Sequence, residues 1–200
     1  EINSLYFPPQ VILDEHGTVR LARNELYVHH AGNRDLVFLV GDHQSTSNEG
    51  HYLLADFYCE VAEALKISRI YTLGGFGVGH LVTEPRVLGA VNRPELREEI
   101  EPSGVTFQRD EPGGGIVGAA GLMLALSRLR SIDAACLMGE TSGYIVDPLA
   151  AATVLATLSR LIDVPVDPTG LNDRAAEMEK VIETMVENAG AKDEELNYIG

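Results

Sequence analysis

The chain has 200 residues and a mass of 21.6 kDa, a size that predicts one domain. Apolar residues make up 45% and charged residues 22%, so the core needs no disulfide or metal to hold it together. The formal net charge of -15 argues against nucleic acid and against anionic membrane surfaces as partners, because like charges repel. Cys59 and Cys136 fall in apolar segments, which predicts buried free thiols and a cytoplasmic location.

The N-terminal part of the sequence predicts several strands. Short apolar runs at Val11–Leu13 and Val19–Leu21 flank the turn residues 14–17, a pattern typical of a hairpin. Leu26–His29 predicts a further strand. The strand predicted at Asp35–Val40 ends in five consecutive apolar residues, which is typical of a strand buried on both faces.

A polar loop from Gly41 to Gly50 follows and leads into a helix. The helix carries apolar residues at helical spacing: Leu54, Phe57, Tyr58, Val61 and Leu65. The loop carries four residues of metal-ligating type: Asp42, His43, Glu49 and His51. Their spacing matches no recognised metal motif, so the pattern favours a solvated polar loop and no metal is predicted.

The second half of the chain alternates strands with helices, which predicts an α/β fold with a largely parallel sheet and helices on both faces. The predicted strands are Ile70–Leu73, Val105–Phe107 and Ala134–Met138. The predicted helices are Pro94–Ile100, Val117–Leu129, Leu149–Ile162 and Asn172–Asn188. Residues 74–79 include four glycines and predict a flexible loop at the end of a strand, whose backbone can approach a ligand or a neighbouring subunit.

Polar residues follow the predicted strands, and ligands bind just past strand ends in open α/β sheets. Asp147 and Pro148 have the properties of an N-cap and a first helical residue, so a helix begins soon after the last strand. The candidate ligand or partner site comprises Asp42, Gln44, Gly74, Gly75, Glu140 and Thr141. In a simpler interpretation, Glu140 and Thr141 only fix a tight turn.

Enzyme motifs are weak in this sequence. Gly113, Gly115 and Gly118 match the dinucleotide-binding fingerprint, with Glu140 as a possible ribose-binding acid. Asp110, Glu111 and Pro112 precede the first glycine, and the two acids would repel a pyrophosphate. No cofactor is therefore predicted. Because the sequence lacks a Gly-x-Ser-x-Gly nucleophile elbow, no catalytic residue is assigned either.

Several short motifs occur in a specific order along most of the chain. They are Gly41-Asp42-x-Gln44, Thr72-Leu73-Gly74-Gly75, Thr83-Glu84-Pro85-Arg86-Val87, Gly115-Ile116-Val117-Gly118, Gly121-Leu122, Gly139-Glu140-Thr141, and Asp147-Pro148 with Ala150-Ala151. With these motifs the chain resembles the archaeal and bacterial branch of the proteasome assembly chaperone family. The resemblance implies a three-layer αβα fold of the phosphorylase/hydrolase-like type, self-association, and proteasome α subunits as partners.

The two ends of the chain depart from the family pattern. Some family members dock on the proteasome through a C-terminus of hydrophobic residue, tyrosine and any residue, whereas this chain closes with Tyr198-Ile199-Gly200. The family usually begins with a strand and a glycine-containing loop that have no clear counterpart here. Residues 1–200 are therefore expected to form a single α/β domain that lacks this first strand and loop.

The sequence supports two functional hypotheses. The first is a non-enzymatic, self-associating assembly or scaffold protein, with the apolar, glycine-rich segment Gly74–Leu88 as its predicted association surface. The alternative is a small-molecule or nucleotide-binding enzyme whose site lies at the C-terminal ends of the strands and uses Asp42, Gln44, Glu140 and Thr141.

Overall fold

The computed structural model describes residues 1–107, 115–178 and 180–182. Contacts between residues divide the chain into two compact units, which are described separately below. The first unit comprises Glu1–Thr72, Ala90–Arg97 and Asp110–Cys136, and the second comprises Leu73–Gly89, Glu98–Arg109 and Leu137–Gly200. The expectation of a single domain stays a prediction.

Two antiparallel hairpins lie in the first unit. The predicted hairpin is confirmed, with β1 at Val11–Leu13 paired to β2 at Val19–Leu21. The second hairpin joins β3 at Asn24–Ala31 to β4 at Arg34–Gly41, so both of its strands are longer than the sequence predicted.

The prediction that β4 is buried on both faces is wrong. Within the described residues, β3 and β4 form a two-stranded sheet of their own. Leu39 packs against the core of the first unit, whereas Phe38 and Val40 are exposed. The apolar run is therefore covered on one face only.

Helices α1 at Asn48–Ala64 and α3 at Ala119–Leu129 pack against each other in the first unit. The hydroxyl of Ser47 accepts a hydrogen bond from the amide of Gly50 and caps α1. Among the five apolar residues at helical spacing, Leu54 and Tyr58 are buried, whereas Phe57 and Leu65 are exposed. Ala62 adds to the buried face of the helix.

A small apolar cluster forms the core beneath the hairpins. Its buried members are Phe7, Ala22, Leu54 and Tyr58, and partly buried side chains surround them, among them Leu39 of β4 and Met123 of α3. Strands and helices of the first unit thus share one core.

The central sheet has the strand order β5, β8, β6, β7. These strands span Arg69–Gly77 (β5), Val87–Val91 (β6), Val105–Thr106 (β7) and Asp133–Thr141 (β8). The sheet is mainly parallel, as predicted, and β6 pairs with β7 in this manner. The strands β6 and β8 run antiparallel to each other. The amide of Glu140 donates to the carbonyl of Arg86, and the amide of Asn92 donates to that of Ala134, so residue numbers rise along β6 as they fall along β8.

Two details of the sheet differ from the sequence prediction. The sequence did not predict β6, whose Val87 and Leu88 are buried, so this end of the predicted association surface is not exposed. Residues 74–77 are not a flexible loop, since β5 continues through them to Gly77. The strand β8 is also longer than predicted and includes Glu140 and Thr141.

Further helices follow the strands of the central sheet. A short helix, α2, spans Glu95–Ile100. Helix α4 spans Pro148–Ile162, where the carboxylate of Asp147 accepts from the amide of Ala150, so the predicted N-cap is confirmed. Residues 169–178 and 180–182 are helical, and the remainder of the last predicted helix lies outside the described residues. Among the helices that the structure describes, none is both long and apolar enough to cross a membrane.

Candidate functional site

Glu140 is the best-defined polar residue of the second unit. The chain from Ala134 to Glu140 is buried, and Glu140 is only 7% exposed near the end of β8. Arg86, which immediately precedes β6, satisfies its carboxylate. The Arg86 amide donates to Oε2 at 3.0 Å, Nε lies 3.0 Å from both carboxylate oxygens, and Nη2 donates to Oε1. The side chain and the backbone of one residue thus hold the same carboxylate.

The pairing with Arg86 fixes the charge state of Glu140. The side-chain hydrogen bond from Arg86 is the main cause that lowers the pKa of Glu140, and burial opposes it. The Arg86 amide, the guanidinium charge and His80 lower the pKa further. Glu140 is therefore an ionised, fully engaged acceptor at neutral pH, which is the state of a structural ion pair and not of a general acid.

Glycines allow the backbone of β5 to approach β8 closely in the second unit. A Cβ atom at Gly75 would lie 3.1 Å from Cγ2 of Thr141, and one at Gly77 would lie 3.2 Å from Cα of Gly143. The amide of Val78 then donates to the carbonyl of Thr141 at 2.9 Å. The hydroxyl oxygen of Thr141 is buried and has no hydrogen-bond partner among the described residues.

Asp42 belongs to the first unit and is also held by arginine. The guanidinium of Arg20 binds its two oxygens at 2.6 and 2.9 Å, and the amide of Arg23 donates to Oδ2 at 3.0 Å. The hydrogen bond from Arg20 is the main reason why the pKa of Asp42 lies well below its usual range. Its neighbour His43 pairs through Nε2 with the side-chain amide of Gln10.

Gln44 caps helix α3 within the first unit. The N-cap position of α3 is Gly118, at a φ of 87°. Glycine has no side chain that could accept a hydrogen bond from the first amides of the helix. Oε1 of Gln44 accepts from the amide of Ala119 at 3.1 Å instead. Because this side chain lies at the start of α3, where a bound phosphate would sit, the dinucleotide motif has less support; its first glycine, Gly113, lies outside the described residues.

The structure divides the predicted site residues into two groups. Gly74, Gly75, Glu140 and Thr141 lie together at the ends of β5 and β8 in the second unit, whereas Asp42 and Gln44 belong to the first. The sequence did not indicate the partners of the two carboxylates, which are Arg86 for Glu140 and Arg20 for Asp42. A single arginine beside an apolar run was the available signal, but sequence spacing does not show which acid such an arginine reaches.

The fold is mixed α/β with a mainly parallel central sheet and flanking helices. At the end of β8, the ion pair with Arg86 occupies the carboxylate of Glu140. Residues 1–186 match the model of the PAC2 family. A Methanocaldococcus jannaschii protein named "Uncharacterized protein MJ1210" is 39% identical over 204 residues, which cover 97% of this chain and 78% of that protein. The chain belongs to the PAC2 family.

Solved structures agree with this assignment and confirm the resemblance to archaeal and bacterial proteasome assembly chaperone homologues. Pyrococcus furiosus PbaB, described as an archaeal proteasome activator, is 35% identical with a TM-score of 0.85, covering 91% of this chain and 79% of PbaB. Pyrococcus furiosus PbaA, described as an archaeal homolog of proteasome-assembly chaperone, is 22% identical with a TM-score of 0.75. That match covers 98% of this chain and 78% of PbaA, and it reflects the shared fold.

Proposed function

We propose that this protein is a non-enzymatic, self-associating assembly protein that acts on proteasome α subunits. The similarity to PbaB, described as an archaeal proteasome activator, carries the proteasome partner, because it combines 35% identity with a TM-score of 0.85 over 91% of the chain. The assembly role and self-association are what membership of the PAC2 family implies. The engagement of Glu140 and Asp42 by arginines adds support, since both carboxylates are used to hold the fold.

The same proposal includes three finer features. The family resemblance implies a three-layer αβα arrangement of the phosphorylase/hydrolase-like type, the chain length indicates a single domain, and the cysteines indicate a cytoplasmic location. The free, buried thiols of Cys59 and Cys136 support the last of these, because unpaired cysteines are typical of reducing compartments.

The alternative, a small-molecule enzyme at the strand ends, has one observation in its favour. The buried hydroxyl of Thr141 has no partner among the described residues and could bind a ligand. Against it, the neighbouring acid Glu140 already accepts several hydrogen bonds from Arg86. Thermal-shift screening with nucleotides and metabolites separates the two functions, since a ligand that binds only the folded state raises the melting temperature.

The test of the assembly function uses purified proteasome α subunits of the same host. Native mass spectrometry at micromolar concentration should show complexes of this protein with the α subunits. Adding the protein to unassembled subunits and to assembled proteasomes in parallel distinguishes an assembly role, where the yield of complete particles rises, from an activator role, where peptidase activity rises. No complex with either preparation would contradict the proposal.

A further inference from the structure

The hairpin of β3 and β4 exposes an apolar surface that the first unit does not cover. Tyr27 lies directly opposite Phe38 in the antiparallel register, and Val40 is on the same face because side chains alternate along a strand. These three side chains, which we call the hairpin face, are 53%, 45% and 55% exposed. A continuous apolar run such as that of β4 is typical of strands that are covered on both faces.

The polar groups at the edge of the hairpin face are already paired. The hydroxyl of Tyr27 donates to Oε2 of Glu25 at 3.0 Å, and Oε1 of Glu25 lies 3.2 Å from Nη2 of Arg23. Covering the face would therefore bury apolar surface without leaving these groups unsatisfied, and an unsatisfied buried group is the main cost of burying a polar one.

Charge indicates what can cover the face. Residues 24–41 carry two acids, Glu25 and Asp35, and one arginine, Arg34, whereas the whole chain has a net charge of -15. Two copies of so acidic a chain repel each other least where each is nearly neutral. The hairpin of β1 and β2 has the same balance of two acids and one arginine, but its strands have three residues each against eight in β3 and β4, so it offers a shorter surface.

The dimensions of the hairpin also suit a second copy. An eight-residue strand is roughly 25 Å long, and a stable interface covers about 800 Å² on each partner. Two hairpins stacked face to face would supply the apolar centre of such an interface, with Glu25 and Arg34, which lie on the same face by register, at its rim. A two-fold axis would place the same aromatic pair on both sides, so the contact is self-complementary.

We propose that the hairpin face of β3 and β4 is the surface through which two copies of this chain associate, an inference that rests on the self-association in the proposed function. Each copy packs Tyr27, Phe38 and Val40 against the same residues of the other. The hairpin, and not the segment Gly74–Leu88, then forms the centre of the interface.

The test replaces exposed apolar residues in each of the two hairpins. The variant Phe38→Gln with Val40→Thr changes the hairpin face, and the matched control Leu13→Gln with Val19→Thr changes side chains of similar exposure, 64% and 58%, in β1 and β2. Sedimentation velocity at micromolar concentration should show association for the unmodified chain and the control. The hairpin-face variant should dissociate to 21.6 kDa, with a dissociation constant raised tenfold or more.

Each outcome decides the proposal. Equal association of the unmodified chain and the hairpin-face variant would overturn it, as would an unmodified chain that stays monomeric at low and high salt. Loss of association in the hairpin-face variant, together with no binding of the unmodified chain to proteasome α subunits, would support the hairpin interface and reject the proposed partner. If circular dichroism shows that the variant is misfolded, amide exchange of the unmodified chain decides, because protection of β3 and β4 must rise with protein concentration.

Discussion

The strands β4 and β8 share an apolar pattern but differ in their surroundings. Each contains an apolar run, Leu36–Val40 in β4 and Ala134–Met138 in β8. β8 lies between two other strands and is buried along nearly its whole length, whereas β4 pairs with β3 and exposes alternate side chains. The difference teaches that an apolar run alone does not specify how far its strand is buried within the chain.

The largest expected effect is on the free energy of unfolding, when a side chain of the buried strand β8 is truncated and compared with one of the exposed strand β4. Leu137→Ala in β8 removes a side chain with no exposed surface and should lower the free energy of unfolding by about 2–5 kcal/mol, because a cavity remains. Val40→Ala in β4 should change it by less than about 0.5 kcal/mol under dilute, monomeric conditions. Urea unfolding measures both, and equal losses would show that β4 is as buried as β8.

The second expected effect concerns the carboxylate that β8 buries. Glu140→Ala leaves the donors of Arg86 without their acceptor and should cost about 1–3 kcal/mol. The control is Glu98→Ala on the exposed surface of α2, with an expected change of about 0.5 kcal/mol or less. The two melting temperatures should differ clearly, and identical values would contradict the structural role of the Arg86–Glu140 pair.

A smaller effect should be seen in the pH dependence of stability. Since the folded-state pKa of Glu140 is lowered from 4.5, its contribution is complete above about pH 4.5 and is lost as the pH falls through the folded value. The stability difference between the unmodified chain and Glu140→Gln should therefore shrink between pH 7 and pH 3 in urea titrations.

The control for this pH dependence is Asp42→Asn. The pKa of Asp42 is also lowered by an arginine, but the side chain of Asp42 is 23% exposed against 9% for Glu140, so solvent screens the charge of Asp42 more. The pH dependence should be weaker for Asp42→Asn than for Glu140→Gln. A stronger dependence at Asp42 would mean that burial does not set the strength of these pairs.

The smallest expected effect is that of salt on the exposed strand. Because the chain carries a net charge of -15, added salt should screen repulsion between copies and strengthen association a few-fold. Light scattering at low and high salt measures this change in the unmodified chain. Association that weakens with salt would point to ionic contacts in place of the apolar hairpin face.

The sequence predicted the elements whose signals are local. The hairpin of β1 and β2 and helix α4 with its Asp147 cap follow from turn residues, periodicity and capping chemistry within a few positions. It did not predict β6, because Val87–Val91 is short and includes a glycine. That glycine is Gly89, and a Cβ atom there would lie 2.4 Å from Cγ1 of Val105. Only glycine therefore fits beside β7, and the sequence around Gly89 does not show that Val105 is its neighbour.

The sequence indicated where the candidate site residues lie along the chain, but not which residues they contact. Glu140 and Thr141 were correctly placed at the end of a strand, since an apolar run followed by polar residues marks that point. The arginines that hold Glu140 and Asp42 lie 54 and 22 residues away in the chain. Such pairs arise only when the tertiary structure forms, so no local pattern reveals them.

The cap of α3 also has a consequence for the order in which the first unit folds. Gln44 lies 75 residues before Ala119, so the start of α3 gains its acceptor only when a long chain segment has closed, at a large cost in loop entropy. Such a contact raises the contact order and slows folding of this region. During synthesis, however, Gln44 leaves the ribosome long before Ala119, so the acceptor is already in place when the helix emerges.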